Sequence, residues 1–150
     1  MVDGVNAVAP EDRELRTLLG EAHTIAVVGL SSKSDRPSLS VAAYLQDRGY
    51  RIVPVNPRET EVLGETAYPS LRELPEGLAI DVVDVFRRAE DTPDIARDAV
   101  AIGAKVLWLQ DGIVNEEAYR IASEAGLEVI MGVCIRTTDQ RLHRQGEGNA

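Results

Sequence analysis

A short joint repeats three times along this chain of 150 residues: DRGYRIVPV, AIGAKVLWL and EAGLEVIMG. In each, a helical pattern runs out at a glycine (Gly49, Gly103, Gly126), one or two residues follow, and an apolar run begins. A glycine just past a helix adopts left-handed backbone at no steric cost and turns the chain straight back. Short apolar runs suit strands covered on both faces, as in a parallel sheet. Parallel strands need crossover helices, and those crossovers are right-handed. The joints therefore predict an α/β fold, a doubly wound sheet of about five parallel strands with helices on both faces.

The remaining elements follow from the same grammar. Residues 1–10 read as a tail and residues 11–22 as a short helix with Leu15, Leu18 and Leu19 on one face. Ile25 to Val28 is the first buried strand. A helix capped by Ser38 or Ser40 buries Val41, Tyr44 and Leu45 and ends at Gly49. The second strand is Arg51 to Val55, with Pro54 marking its fraying end because proline removes a ladder donor. Residues 56–76 are irregular, with one helical turn expected at Ser70 to Leu74. Ile80 to Phe86 is the third strand. Asp91 or Thr92 caps the next helix, with Pro93 at its first position. Lys105 to Leu109 is the fourth strand, Asn115 caps the next helix, and Leu127 to Met131 is the last strand. A short helix from Thr137 runs into a tail at 146–150, so the domain spans 11–145.

The first strand leads into TIAVVGLSSKSDRP, a strand, a Gly-led turn rich in hydroxyls, and a helix start. Such a turn offers backbone N–H groups and a helix N-terminus to a phosphate. A dinucleotide fingerprint wants three glycines, however, and only Gly29 is present, so an ordinary strand-to-helix connection reads equally well. In a doubly wound sheet, ligands sit outside the carboxyl ends of the strands. Those ends carry Lys33, Arg36, Arg58, Arg87, Arg88 and Arg136, six of 16 basic residues in a chain of net charge −9. Cations gathered against the overall sign point to a small anionic nucleotide. The acidic balance argues against nucleic acid or an anionic membrane as partner. After the second strand stand Asn56, Pro57 and Arg58, with no acid before Glu59. An arginine there suits a ribose phosphate, as in NADP or the 3′-phosphate of coenzyme A, better than the bare ribose of NAD.

No window is apolar enough to span a membrane, and MVDGVNAVAPEDRE lacks the regions of a signal peptide. The one cysteine, Cys134, fits a reducing compartment, so the expected location is the cytoplasm. Cys134 has no evident base, since the histidines are His23, before the first strand, and His143, near the end; it reads as an inert thiol. Trp108 reads as core. Asp81 and Asp84 lie three apart on a strand and face opposite ways, so they form no catalytic pair.

Together AVVGLSSKSDRPS, RIVPVNPR, VLGETAYPSL, DVVDVFRRAED and VLWLQDGIVNEEA resemble the small bacterial CoA-binding proteins. Their Rossmann-like domain is also the N-terminal part of the succinyl-CoA synthetase α subunit and of NDP-forming acyl-CoA synthetases. The resemblance covers roughly residues 24–142. It implies that Gly29, Ser31, Ser32, Lys33, Ser34 and Arg36 surround phosphates, and that Asn56, Pro57 and Arg58 lie along the CoA. It further implies that Phe86 and Arg87 wall the adenine or ribose, and that Gln110, Gly112 and Ile113 line the far side. Where the family commonly has an acidic and a basic residue before its cysteine, this chain has Gly132 and Val133, and no role carries over to them. The phosphohistidine and nucleotide-binding parts of the synthetases lie outside this domain. The resemblance thus implies a CoA- or acyl-CoA-binding or regulatory module without evident catalysis and with no metal. The alternatives are a subunit of a multi-chain acyl-CoA ligase and an NADP-binding redox protein. A homodimer or a protein partner fits either picture.

Overall fold

The computed structural model describes residues 7–148, with side chains through Arg144. The elements run α1 (Asp12–Glu21), β1 (Thr24–Val28), α2 (Pro37–Asp47), β2 (Arg51–Val55), a hairpin of β3 (Glu61–Val62) and β4 (Glu65–Thr66), and β5 (Val82–Val85). There follow α3 (Thr92–Ala101), β6 (Val106–Leu109), α4 (Glu116–Glu124), β7 (Glu128–Met131) and α5 (Ile135–Gly148). Five strands form one parallel sheet in the order β2-β1-β5-β6-β7. The order reverses direction between β1 and β5, which is the switch point of a doubly wound sheet. This is the fold expected from the joints, and Gly49, Gly103 and Gly126 adopt φ of +101°, +75° and +94°.

The sheet divides the core in two. On one face Ala26, Val28, Val83, Val85, Leu107 and Leu109 pack beneath α3 and α4, with Ala96, Ala99, Ala118 and Ala122 letting those helices sit close. On the other, Ile25, Val27, Ile52, Trp108 and Ile130 pack beneath α1, α2 and α5. Trp108 is fully buried, as expected, and its Nε1 donates to the Val133 carbonyl at 2.9 Å. Among the described residues no helix is long and apolar enough to cross a membrane.

Several expectations need correction. Pro54 does not fray the strand, which continues to Val55. The main chains of Arg51 and Val55 face β1, through Arg51 N–H to the His23 carbonyl and the Val55 carbonyl to Gly29 N–H. Pro54 therefore faces the outer edge, where no donor is needed, and its carbonyl accepts from Tyr68 N–H at 3.0 Å. Neither Ser38 nor Ser40 caps α2: Pro37 is its first residue, and the fixed proline φ starts the helix. Ser38 instead accepts from Ser31 N–H at 3.1 Å. Asp91 precedes α3 without capping it, and Pro93 is second in the helix rather than first. The third, fourth and last strands are each shorter than expected, beginning at Val82, Val106 and Glu128. Residues 61–66 form an unforeseen hairpin turning on Leu63 and Gly64, both with positive φ.

At the ends, residues 1–6 of the expected tail lie outside the described residues. Val8 pairs with Met131 through two hydrogen bonds of 2.9 Å and so closes the edge of β7. Helix α5 starts two residues before Thr137 and carries helix to Gly148, into the stretch read as tail. Residues 149–150 lie outside the described residues.

Among the described residues Asp84 is the one acid inside this sheet core, between Val27 of β1 and Trp108 of β6. Its carboxyl is fully buried, and neither oxygen has a hydrogen-bond partner among the described residues. Burial pushes it well above the usual carboxylate range, so the folded chain holds a neutral acid there. A raised acid pKa contributes stability that is fully present below the unfolded value, near 4, and is lost as pH rises toward the folded value. Asp84→Asn cannot ionise, so it should gain on the wild type between about pH 5 and pH 8, by up to ~1.4 kcal/mol per unit. Urea titrations at both pH values check this. A stability difference that does not change with pH would show that the carboxyl is solvated or paired.

Candidate functional site

The carboxyl ends of β1, β2 and β5 meet at Gly29. Its N–H donates to the Val55 carbonyl at 2.8 Å, while Phe86 N–H donates to the Val28 carbonyl at 2.8 Å. Gly29 has φ +89°, and a Cβ built there would lie 2.3 Å from the Phe86 carbonyl oxygen and 3.5 Å from Arg87 Cδ. The position thus requires glycine on two counts, backbone conformation and space.

The turn after Gly29 is organised by side-chain acceptors. Ser31 N–H donates to Ser38, Lys33 N–H donates to Ser31 Oγ at 3.1 Å, and both Ser32 N–H and Ser32 Oγ donate to Glu59 Oε2, at 2.7 and 2.9 Å. Asn56 is buried and joins the two turns: its Nδ2 donates to the Leu30 carbonyl at 3.1 Å and its Oδ1 accepts from Arg58 N–H at 2.9 Å. Asn56 is thus a strut between turns, and Arg58, exposed beyond it, is held at the backbone.

A cavity of about 300 Å³ opens at this edge, lined in part by Val28, Val55, Pro57 and Arg87. Asp91, Asp94 and Asp98 of the following loop and α3 form its far wall, with Ser70 and Leu71. Larger clefts of about 470 and 630 Å³ lie toward the amino ends of the strands. Volume alone would favour those, but charge and donors favour the carboxyl edge. At the amino edge Asp81 already takes the N–H groups of His23 and Thr24 and pairs with Lys105. Burial works to raise the Asp81 pKa, and these contacts outweigh it and hold it below its usual value. In the 630 Å³ cleft, buried Asp139 accepts from Tyr44 and Arg48 and pairs with His143. Burial, then the bond to Asp139, pushes the Tyr44 hydroxyl up to about 12.

At the carboxyl edge the helix N-termini differ. Those of α3 and α4 carry acids in the first turn (Asp94; Glu116 and Glu117), which offset the dipole. Helices α2 and α5 carry none, and they pack against each other on one face. Arg136, in the first turn of α5, donates to Ser40 of α2 at 3.1 Å. Among the described residues Lys33, Arg58 and Arg87 form no ion pair, whereas Arg36 meets Asp35 and Arg88 meets Glu90 and Asp91. Asp91, then Glu90, raise the already high pKa of Arg88.

The expected site residues separate accordingly. Gly29, Ser31, Ser32, Lys33, Ser34 and Arg36 form one turn; Asn56, Pro57 and Arg58 stand beside it; Phe86 and Arg87 lie against Gly29. Gln110, Gly112 and Ile113 follow β6, two strands and about 10 Å from β1. Gln110 is buried, and its Oε1 accepts from Ile135 N–H at 3.1 Å, which ties the end of β6 to the start of α5. Ile113 packs partly into the core. Cys134 is half-buried just before α5, and its carbonyl accepts from Thr138 N–H. His143 is engaged with Arg48 and Asp139 further along that helix. Gly132 has φ +82°, and a Cβ there would press to 3.0 Å on Ala7 and Val114, which accounts for a glycine at that departure from the family pattern. Glu59 and the three aspartates of the cavity wall were not foreseen as site residues. Glu59 reaches Ser32, 27 residues away, and Asp98 reaches Arg72, 26 away, contacts that no local pattern announces.

Residues 23–139 match the model of a CoA-binding domain family. The chain belongs to that family. It is 46% identical over 127 residues to YneT, an uncharacterized protein of Bacillus subtilis (strain 168), spanning 85% of this chain and 93% of that one. A solved structure of a hypothetical protein from Pyrococcus horikoshii OT3 superposes with a TM-score of 0.85 at 38% identity, over 94% of both chains. A stretch of 96 residues, 63% of this chain, is 26% identical to an ADP-forming acetate–CoA ligase of Archaeoglobus fulgidus, of which it is only 14%. The resemblance drawn from the motifs is thus the family found.

The crowding at Gly29 gives a sharp contrast. Gly29→Ala should cost at least about 3 kcal/mol, because the new methyl meets a backbone carbonyl that cannot step aside. Gly49→Ala, with nothing within 4 Å of the added carbon, should cost only the left-handed strain, about 1 kcal/mol. Chemical denaturation of both variants measures this, and equal losses would contradict the packing at Gly29.

Proposed function

We propose that this chain binds coenzyme A or an acyl-CoA at the carboxyl edge of its sheet, as a stand-alone binding or regulatory module of the cytoplasm. The observation that carries the reading is the cluster around Gly29: a donor-bearing turn, the acid-free start of α2, and Lys33, Arg58 and Arg87, which form no ion pair among the described residues. It occurs in a chain of net charge −9 that belongs to a CoA-binding domain family. In this reading the β1 turn faces the pyrophosphate, Phe86 and Arg87 flank the adenosine, and Arg58 meets the 3′-phosphate. A second reading, as the CoA-binding part of a multi-chain ligase, draws on the likeness to the acetate–CoA ligase. Copurification of a partner able to bind ATP would favour that one.

Because a ligand that binds only the folded state stabilises it, CoA at a hundred times its Kd should add about 2.7 kcal/mol and raise Tm by several degrees. No shift at millimolar CoA, with no heat of binding by calorimetry, would remove the reading.

The 3′-phosphate supplies a finer test. It lacks the backbone cradle available to pyrophosphate and needs a side-chain cation. Wild type should prefer CoA to dephospho-CoA by about ten- to a hundredfold, the worth of a charge-assisted hydrogen bond of roughly 1.5–3 kcal/mol. Arg58→Ala should erase most of that preference and leave dephospho-CoA binding nearly unchanged. Equal losses for both ligands, or none for either, would move the 3′-phosphate to another strand end.

A further inference from the structure

We infer that Glu59 is a built-in occupant of the phosphate position, which an anionic ligand must displace from the β1 turn. This rests on the CoA reading for the identity of that ligand. Within the Ser31–Ser34 turn, Ser32 is the residue whose backbone N–H and hydroxyl converge on a single acceptor, and that acceptor is Glu59 Oε2, at 2.7 and 2.9 Å. Two donors converging on one anionic oxygen are what a phosphate oxygen would use. The carboxylate comes from a different strand end, 27 residues away, and reaches the turn from the loop after β2.

Two further observations make Glu59 displaceable rather than structural. It is half-exposed, and the loop carrying it is fixed without it: Asn56 accepts from Arg58 N–H, and Glu59 N–H donates to the Asn56 carbonyl at 3.2 Å. The turn has its own support as well, from Ser38 and from Ser31 Oγ. Withdrawing the Glu59 side chain thus frees Ser32 while leaving both turns in place. A phosphate arriving while the carboxylate stayed would meet like charge at hydrogen-bond range. Glu59 therefore competes with the ligand and sets how strongly the turn takes it.

The experiment titrates wild type, Glu59→Gln and Glu59→Ala with inorganic pyrophosphate and with CoA, by calorimetry. Pyrophosphate probes the turn alone and decides the inference; CoA decides the reading beneath it. The expected result is tighter binding of both ligands by both variants, about tenfold for Glu59→Ala and somewhat less for Glu59→Gln, whose neutral amide still accepts weakly. Equal or weaker pyrophosphate binding by the variants, or none by any of the three proteins, overturns the inference whatever CoA does. A pyrophosphate gain without CoA binding to any of them leaves Glu59 as the competitor and overturns the CoA reading instead. A second readout follows the Ser32 amide by NMR. Pyrophosphate should shift it in wild type toward a new bound position that the variants share. An amide that stays put while pyrophosphate binds overturns the inference.

Discussion

Three strand ends close on a residue that has no side chain. Gly29 gives its N–H to β2 and lies under the Phe86 carbonyl at the end of β5, so the spacing of β2, β1 and β5 at the carboxyl edge depends on its being bare. A methyl at 2.3 Å from a carbonyl oxygen is relieved only by moving β5 or the turn, and β5 carries the buried valines Val82, Val83 and Val85. Each such side chain is worth about 1.5–3 kcal/mol in burial, so the sheet resists the move. The same closeness brings the loop after β5 against the turn after β1. The packing constraint and the candidate site are therefore one feature: what lets the switch point close also lets backbone approach a ligand.

What the sequence disclosed depended on the range of the interaction. The three glycine joints and the Asn115 cap, whose side chain accepts from Ala118 N–H at 2.9 Å, are local devices and could be read from neighbouring residues. The basic edge was also legible, because a parallel sheet sends every strand's carboxyl end to one side. Pro54 was misread because its meaning depends on which side of β2 is open, a property of strand order that no local pattern contains. Ser38 looked like a cap and serves the turn seven residues before it. Gln110 stands at a strand end, and its bond from Ile135 N–H, 25 residues on, is a contact that no local pattern contains. Asp84 was rightly set apart from Asp81, but its complete burial reflects a sheet covered on both faces, which alternation alone does not give.

The charges divide the carboxyl edge. On the α3 side, acids from the loop and helix wall the cavity, and the exposed pairs Arg72–Asp98 and Arg97–Asp94 hold two of them at little net worth. On the α2 and α5 side, two helix starts without acids stand near Lys33, Arg36 and Arg136. An anion entering from solvent thus meets opposite fields across the width of one sheet edge. A ligand with phosphates at one end and hydroxyls or amino groups at the other suits that division better than a compact anion does, since acids on the far wall accept from donors.

Three successive N–H groups of the turn already have acceptors within the chain. Its N–H groups at residues 31, 32 and 33 have acceptors in Ser38, Glu59 and Ser31, and the neighbouring turn is tied in through Asn56. Ordering therefore need not be supplied by binding, which removes one of the usual costs of association. In exchange, a phosphate gains at this turn only the difference between itself and the acceptor it replaces. Affinity in such a site is set by an exchange of acceptors rather than by the gross strength of any one hydrogen bond. A buried hydroxyl such as Ser38 is a weak competitor, fixed in place by its helix. A half-exposed carboxylate on a loop is a strong competitor that is free to leave. Ser31 and Ser32 look alike in sequence, and their partners give them opposite roles: Ser31 holds the turn's shape, and Ser32 is the position where its occupant can change.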